Sequence, residues 1–165
     1  SESKASLMLM TKSPLILRDL DLLAQMNGVE ICITVTTLDE GISSLFEGKV
    51  SNPKSRLSIL RELSSAGLKT DAMVSPLLTF NEGAKERLMQ LIDAIADTGC
   101  RSITFDRLKL RETARMRLRK QFSGAEYEQE VREIVSASES FSPRSAIASI
   151  IENKDYPEMH FHTFE

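Results

Sequence analysis

The chain predicts an α/β fold of about four parallel strands joined by helices, with a helical C-terminal extension; an arc of a (β/α) barrel and an open doubly wound sheet both fit this pattern. Three observations carry this. Short apolar runs alternate four times with longer segments of helical periodicity. A strand recurs every 25 to 40 residues, which leaves room for the helix that a right-handed parallel crossover requires. The strand-like runs are apolar at nearly every position, which suits burial on both faces. A length of 165 residues is one domain's worth, and 41% hydrophobic with 27% charged residues is an ordinary globular balance.

In chain order, Ala5–Met10 is the first strand, and it stops at Thr11-Lys12-Ser13-Pro14. Pro14 suits a first helical turn with Ser13 as its cap, and residues 15–26 place Leu15, Leu17, Leu20, Leu22, Leu23 and Met26 near helical spacing. Asn27-Gly28 closes that helix. Val29–Val35 is a β-branched second strand, and Asp39–Phe46 is a short helical turn capped by Asp39. Ser51-Asn52-Pro53 opens a helix striped by Leu57, Leu60 and Leu63 and stopped by Gly67. Leu68–Val74 is the third strand, with Pro76 expected to end its ladder. Glu82–Thr98 is a helix carrying Leu88, Leu91, Ile92 and Ile95, and Cys100–Phe105 is the fourth strand. Helices over Arg111–Phe122, Ala125–Ser138 and Pro143–Asn153 follow, and Tyr156–Glu165 is left as a tail. The expected division is 1–122 for the barrel arc and 123–165 for the extension. On periodicity alone, an open doubly wound sheet fits as well as a barrel arc.

Net charge is −3, which argues against bulk affinity for nucleic acid. The average hides a segregation: residues 101–120 hold eight Lys/Arg and two acids, whereas 121–165 hold three and nine. The basic segment makes DNA a candidate partner, with the acidic run as the competing internal one. Cys32 and Cys100, both in strand-like runs, behave as small buried hydrophobes and suit a reducing, cytoplasmic setting. No apolar run has the length of a membrane span. The opening Ser-Glu-Ser-Lys has no signal-peptide character. A strand begins almost at once, as if the chain were cut from something longer. Such an edge strand would lack a neighbour, so self-association is expected.

In a parallel β/α protein, ligands bind at strand C-termini and the loops beyond them. Lys12 stands there between two hydroxyls. It could pair with a carboxylate or phosphate, form a Schiff base in an aldolase-type site, or remain a solvated loop lysine. Thr34 and Thr36 share one strand face and could meet ribose-like hydroxyls, although threonine is common in strands for steric reasons alone. Ser75-Pro76 is a similar case at the third strand end. Arg56 could clamp a carboxylate, but an exposed helical arginine is the commoner arrangement. His160-Phe161-His162 has strand-like spacing without further ligands nearby, so no metal site is assigned.

Thr11-Lys12-Ser13 with Leu17-Arg18-Asp19, Thr34-Val35-Thr36-Thr37-Leu38-Asp39, Asn52-Pro53 with Arg56-Leu57, then Ala66-Gly67-Leu68 and Pro76 occur in order at characteristic intervals. Together, over about residues 5–110, they resemble the radical S-adenosylmethionine proteins of the DNA repair photolyase group, relatives of spore photoproduct lyase. The resemblance implies a partial barrel of six strands, of which these four look like the third to sixth. It implies S-adenosylmethionine as cofactor, with Thr34 and Thr36 toward its ribose and methionyl part. Lys12 and Arg56 become candidates for its carboxylate, and Ser75 with Leu77 for the adenine side. Glu47 matches an acidic position of the family without an assigned role. The family's CxxxCxxC motif, which holds a 4Fe-4S cluster, has no counterpart among these residues, so the cluster is expected only in a longer protein. No catalytic residue is assigned. The expected activity is that of a C-terminal piece of a radical enzyme, inactive by itself, with a non-catalytic nucleotide-binding module and the Lys12 aldolase as alternatives.

Overall fold

The computed structural model describes residues 6–78, 84–137, 143–151 and 156–161. Five parallel strands form one open sheet in sequential order: β1 (Leu7–Thr11), β2 (Val29–Thr34), β3 (Lys69–Leu77), β4 (Ser102–Arg107) and β5 (Glu158–Phe161). The helices are α1 (Leu20–Gln25), α2 (Glu40–Glu47), α3 (Pro53–Ser65), α4 (Ala84–Ala96), α5 (Glu112–Gln121), α6 (Glu128–Ala137) and α7 (Pro143–Ile151). An α/β arc of parallel strands with helices around it is the expected architecture, with one strand more than expected.

The two-residue period of a strand sorts the side chains onto two faces. Ile31 and Ile33 of β2, Ala72 and Val74 of β3, and Ile103 and Phe105 of β4 point outward into the main core. There α3 packs on β2 and β3, and α7 packs on β4 and α4. The inner face is polar and tiered by the parallel register. One tier holds Cys32, Asp71, Ser102 and Glu158; the next holds Thr34, Met73, Thr104 and His160. α3 and α7 thus cover the outward face, and the open parallel sheet is consistent with a barrel arc.

Local rules account for most boundaries. Asp39 accepts from the Ile42 N–H at 2.9 Å and Asn52 from the Ser55 N–H at 2.8 Å, capping α2 and α3, with Pro53 in the first turn of α3. Gly67 and Gly99 take φ of +79° and +76°, where a side chain would be strained, as the chain leaves α3 and α4.

Three boundaries differ from expectation. Residues 15–26 do not form one helix: Ser13 caps a 3-10 helix over Pro14–Asp19, and α1 is a short separate helix. Only Leu23 is buried there, while Ile16, Leu17 and Leu20 pack partly buried against the main core and Leu15 and Leu22 are exposed. β3 does not stop at Val74. It runs through the cis Ser75–Pro76 bond to Leu77, and its register with β4 shifts between Val74 and Leu77, where a residue without an N–H is tolerated. Finally, the tail contains a strand. β5 pairs with β4, Phe161 stacks on Phe105 at 5.8 Å, and the Tyr156 hydroxyl donates to Asp93 at 2.6 Å. The C-terminal segment thus returns to the sheet; His162 lies outside the described residues.

Candidate functional site

The C-terminal ends of the strands carry two polar groupings. The first is an ion triad centred on Glu47, the last residue of α2. Lys12, just past β1, places its Nζ 2.6 Å from Glu47 Oε1, and Arg56 on α3 places a guanidinium nitrogen 2.7 Å from Glu47 Oε2. Arg56 is 0% exposed, so the expected exposed arginine is corrected to a buried one. It also donates to the Ser51 carbonyl at 2.7 Å and the Thr34 carbonyl at 3.2 Å. That ties α3 to the end of β2. Ser51 in turn donates to the Lys12 carbonyl. Burial works against the charge of Glu47, but hydrogen bonds from Arg56, Lys12 and Ser43 outweigh it and hold its pKa near 2. Both cations proposed for a ligand carboxylate are thus already engaged by a carboxylate of the protein.

The second grouping is a row one tier above Thr34, Met73 and Thr104. The Thr34–Met73 register, continued by the Val35 N–H donating to the Met73 carbonyl at 2.9 Å, carries Thr36 alongside Ser75. Ser75 donates to Asp106 Oδ2 at 3.3 Å. Thr36 is 1% exposed, yet its Oγ1 has no hydrogen-bond partner among the described residues. Asp106 Oδ1 is likewise buried and without one. Such atoms cost free energy unless something pairs with them, and here two lie along one row. Leu77, by contrast, is fully buried in the main core, so its side chain faces away from the row.

This rim is roofed. Ile42 of α2, Leu78 and Leu108 just beyond β3 and β4, and Ile134 of α6 form a second apolar cluster, with Tyr127 packed against it. A β-carbon added at Gly41 would lie 2.1 Å from the Tyr127 hydroxyl, so α2 and the α6 region meet closely there. A cavity of about 280 Å³ opens beside α2, lined by Ser43, Lys49 and Asn52 among others, and the row does not contribute to it.

Sequence reasoning named Lys12, Thr34, Thr36, Arg56, Ser75 and Leu77. The structure brings Lys12 and Arg56 together through Glu47, and Thr36 and Ser75 together with Asp106. Asp106 was missed; the signal for it is a lone acid closing the apolar run Ile103–Phe105 at a strand C-terminus.

The residues present do not fit an iron–sulfur cluster. Cys32 and Cys100 are buried, and burial first, then the nearby Asp71 charge, pushes each thiol up to about 11, whereas cluster ligands are thiolates. Among the described residues, no group of three or more His, Cys, Asp or Glu is placed to hold a metal ion, and no helix is long and apolar enough to cross a membrane.

The same open parallel arc is found in the solved structures of spore photoproduct lyase and SuiB. Spore photoproduct lyase matches it with a TM-score of 0.61 at 16% identity, over 97% of this chain and 51% of that one. A form of that lyase with bound S-adenosylmethionine and dinucleoside spore photoproduct matches with 0.57 at 16%, over the same shares. SuiB of Streptococcus suis bound to S-adenosylmethionine matches with 0.54 at 13%, over 96% and 32%. No family model matches. By sequence, an uncharacterised protein of Acidianus two-tailed virus is 34% identical over 96 residues, 56% of this chain and 32% of that one. Another from Mycobacterium tuberculosis H37Rv is 31% identical over 116 residues, 68% and 34%. The chain spans about a third of the length of these curated relatives.

Proposed function

We infer that the Thr36–Ser75–Asp106 row is the nucleoside-binding edge of an S-adenosylmethionine site, and that this chain is the cofactor-cradling part of a radical enzyme of the DNA repair photolyase type. One observation carries the reading: two buried oxygens, Thr36 Oγ1 and Asp106 Oδ1, keep unused hydrogen-bonding capacity on one row of the inner face. A ribose diol or an adenine amine supplies donors for such a carboxylate and a partner for the threonine. Bound S-adenosylmethionine would bring those groups together with a reactive sulfonium. Thr34 lines the tier below. The triad shapes the entrance, with Lys12 the most accessible of its three members, its side chain 35% exposed.

The cysteines of a cluster would come from outside these residues, so this chain is assigned binding and orientation, not bond cleavage. The Schiff-base alternative has less support. The Lys12 amine is held in an ion pair at 2.6 Å, a contact that a nucleophile would have to give up.

Isothermal titration of the chain with S-adenosylmethionine and S-adenosylhomocysteine tests the reading. Saturable heat, lost in Thr36→Val and Asp106→Asn, is expected. Absence of heat at millimolar ligand, or full retention in both variants, overturns it.

A further inference from the structure

Beyond the rim, β4 runs directly into a cationic ledge. Leu108 and Leu110 turn into the second apolar cluster, so the alternate residues Arg107, Lys109 and Arg111 are left outside and exposed. That alternation is the pattern of extended backbone, which spaces alternate side chains by about 6.6 Å. α5 continues the ledge with exposed Arg117, Arg119 and Lys120. Among the described residues, Arg107, Arg111, Arg117, Arg119 and Lys120 have no ion-pair partner.

Among the described residues, the acidic run supplies no ion-pair partner to Arg107, Arg111, Arg117, Arg119 or Lys120. Glu128 is taken by Arg132 of its own helix and by the Gly124 N–H. Glu112, the acid on α5, pairs with Arg115. Arg119 and Lys120 have a local reason to be where they are, since cations in a last helical turn complement the helix dipole. Arg107, Arg111 and Arg117 have none.

We propose that this ledge, from Arg107 to Lys120, binds the phosphate backbone of an extended single strand of nucleic acid and leads it past the Asp106 end of the rim. Three features select this occupant. Cations at regular spacing along extended backbone match a chain of regularly spaced phosphates. Met116, 62% exposed among the arginines, offers an apolar contact that bases can use and an acidic polypeptide largely cannot. An anionic membrane needs a helix with a free apolar face, and the half-buried side of α5 packs toward α6. Because the whole chain is net negative, attraction is confined to the ledge. The surface stands independently of the cofactor reading: a chain that binds no S-adenosylmethionine can still bind the strand.

Fluorescence anisotropy with a short, labelled, mixed-sequence single strand tests this, using the 165-residue chain. Binding at about 50 mM salt that weakens steeply as salt rises is expected, since each phosphate contact contributes a slope of about −0.7 in log K against log salt. The double variant Arg107→Gln/Arg117→Gln should bind at least ~10-fold more weakly with a slope shallower by about 1.4. Arg117→Gln alone should change the slope by about 0.7 and leaves β4 untouched. Circular dichroism confirms that each variant is folded. Absence of binding at low salt, or equal binding and slope in both variants, overturns the proposal. So does tighter binding of duplex DNA, of polyglutamate or of phosphatidylserine vesicles than of the single strand.

Discussion

Two aspartates lie on the inner face of the same sheet, at opposite ends, and their surroundings differ. Asp71, at the N-terminal end of β3, accepts from Ser102 at 2.7 Å and from Arg101 at 2.8 and 3.2 Å. Arg101 also reaches Glu30 at 3.1 Å. Each carboxylate oxygen of Asp71 is therefore used, although the residue is only 5% exposed. Asp106, at the C-terminal end of β4, receives one long hydrogen bond from Ser75 and leaves Oδ1 unpaired. A saturated buried carboxylate stabilises the fold, and an unsaturated one destabilises it until a ligand arrives. The same side chain is thus fully paired at the bottom of the arc and keeps one unpaired oxygen at the top.

The largest effect should come from the residue that fastens the top of the arc. Arg56→Ala strips a fully buried guanidinium from Glu47 and two carbonyls and should cost about 3–5 kcal/mol in urea unfolding. A loss below about 1 kcal/mol would mean that the triad does not hold α3 to β2. Asp71→Asn should cost about 2 kcal/mol, since Arg101 and Ser102 lose a charged acceptor; an unchanged midpoint would break the contrast with Asp106.

Acid sharpens the picture. The folded-state pKa of Glu47, about 2, lies below its ordinary value of 4.5. Its stabilising contribution is full above about pH 4.5 and is lost as pH falls toward 2. Glu47→Gln should therefore flatten part of the fall in melting temperature between those pH values. An identical acid profile in wild type and variant would remove Glu47 from the account. The smallest effect on stability is expected at Asp106. Asp106→Asn should shift it by less than about 0.5 kcal/mol while weakening S-adenosylmethionine binding by ~10-fold or more. A large loss of stability would make Asp106 a second Asp71.

Much of the arc was legible because its signals are local. Asp39, Asn52, Pro53, Gly67 and Gly99 bound their elements through their own backbone chemistry. Thr34 and Thr36 were legible as rim residues because strand alternation needs no partner to be read. Arg56 was misjudged, since a helical arginine faces water by default and its burial depends on Glu47, nine residues earlier, and on the end of β2. The β5 strand was missed because four residues with only two half-buried positions carry little periodicity. Their place is set by pairing with β4 and by Phe105.

The sequence alone determined the alternation of strands and helices, the caps and turns, and hence a parallel sheet whose C-terminal rim is polar. These follow from propensity and period over a few residues at a time. Only the tertiary structure decided which polar groups on that sheet are paired. Asp71 meets Arg101 across 30 positions, Asp106 meets Ser75 across 31, and the chain brings neither pair together before the strands align. The difference between a fully paired carboxylate and one with an unpaired oxygen is therefore a property of packing, where register and burial set the number of partners an oxygen finds.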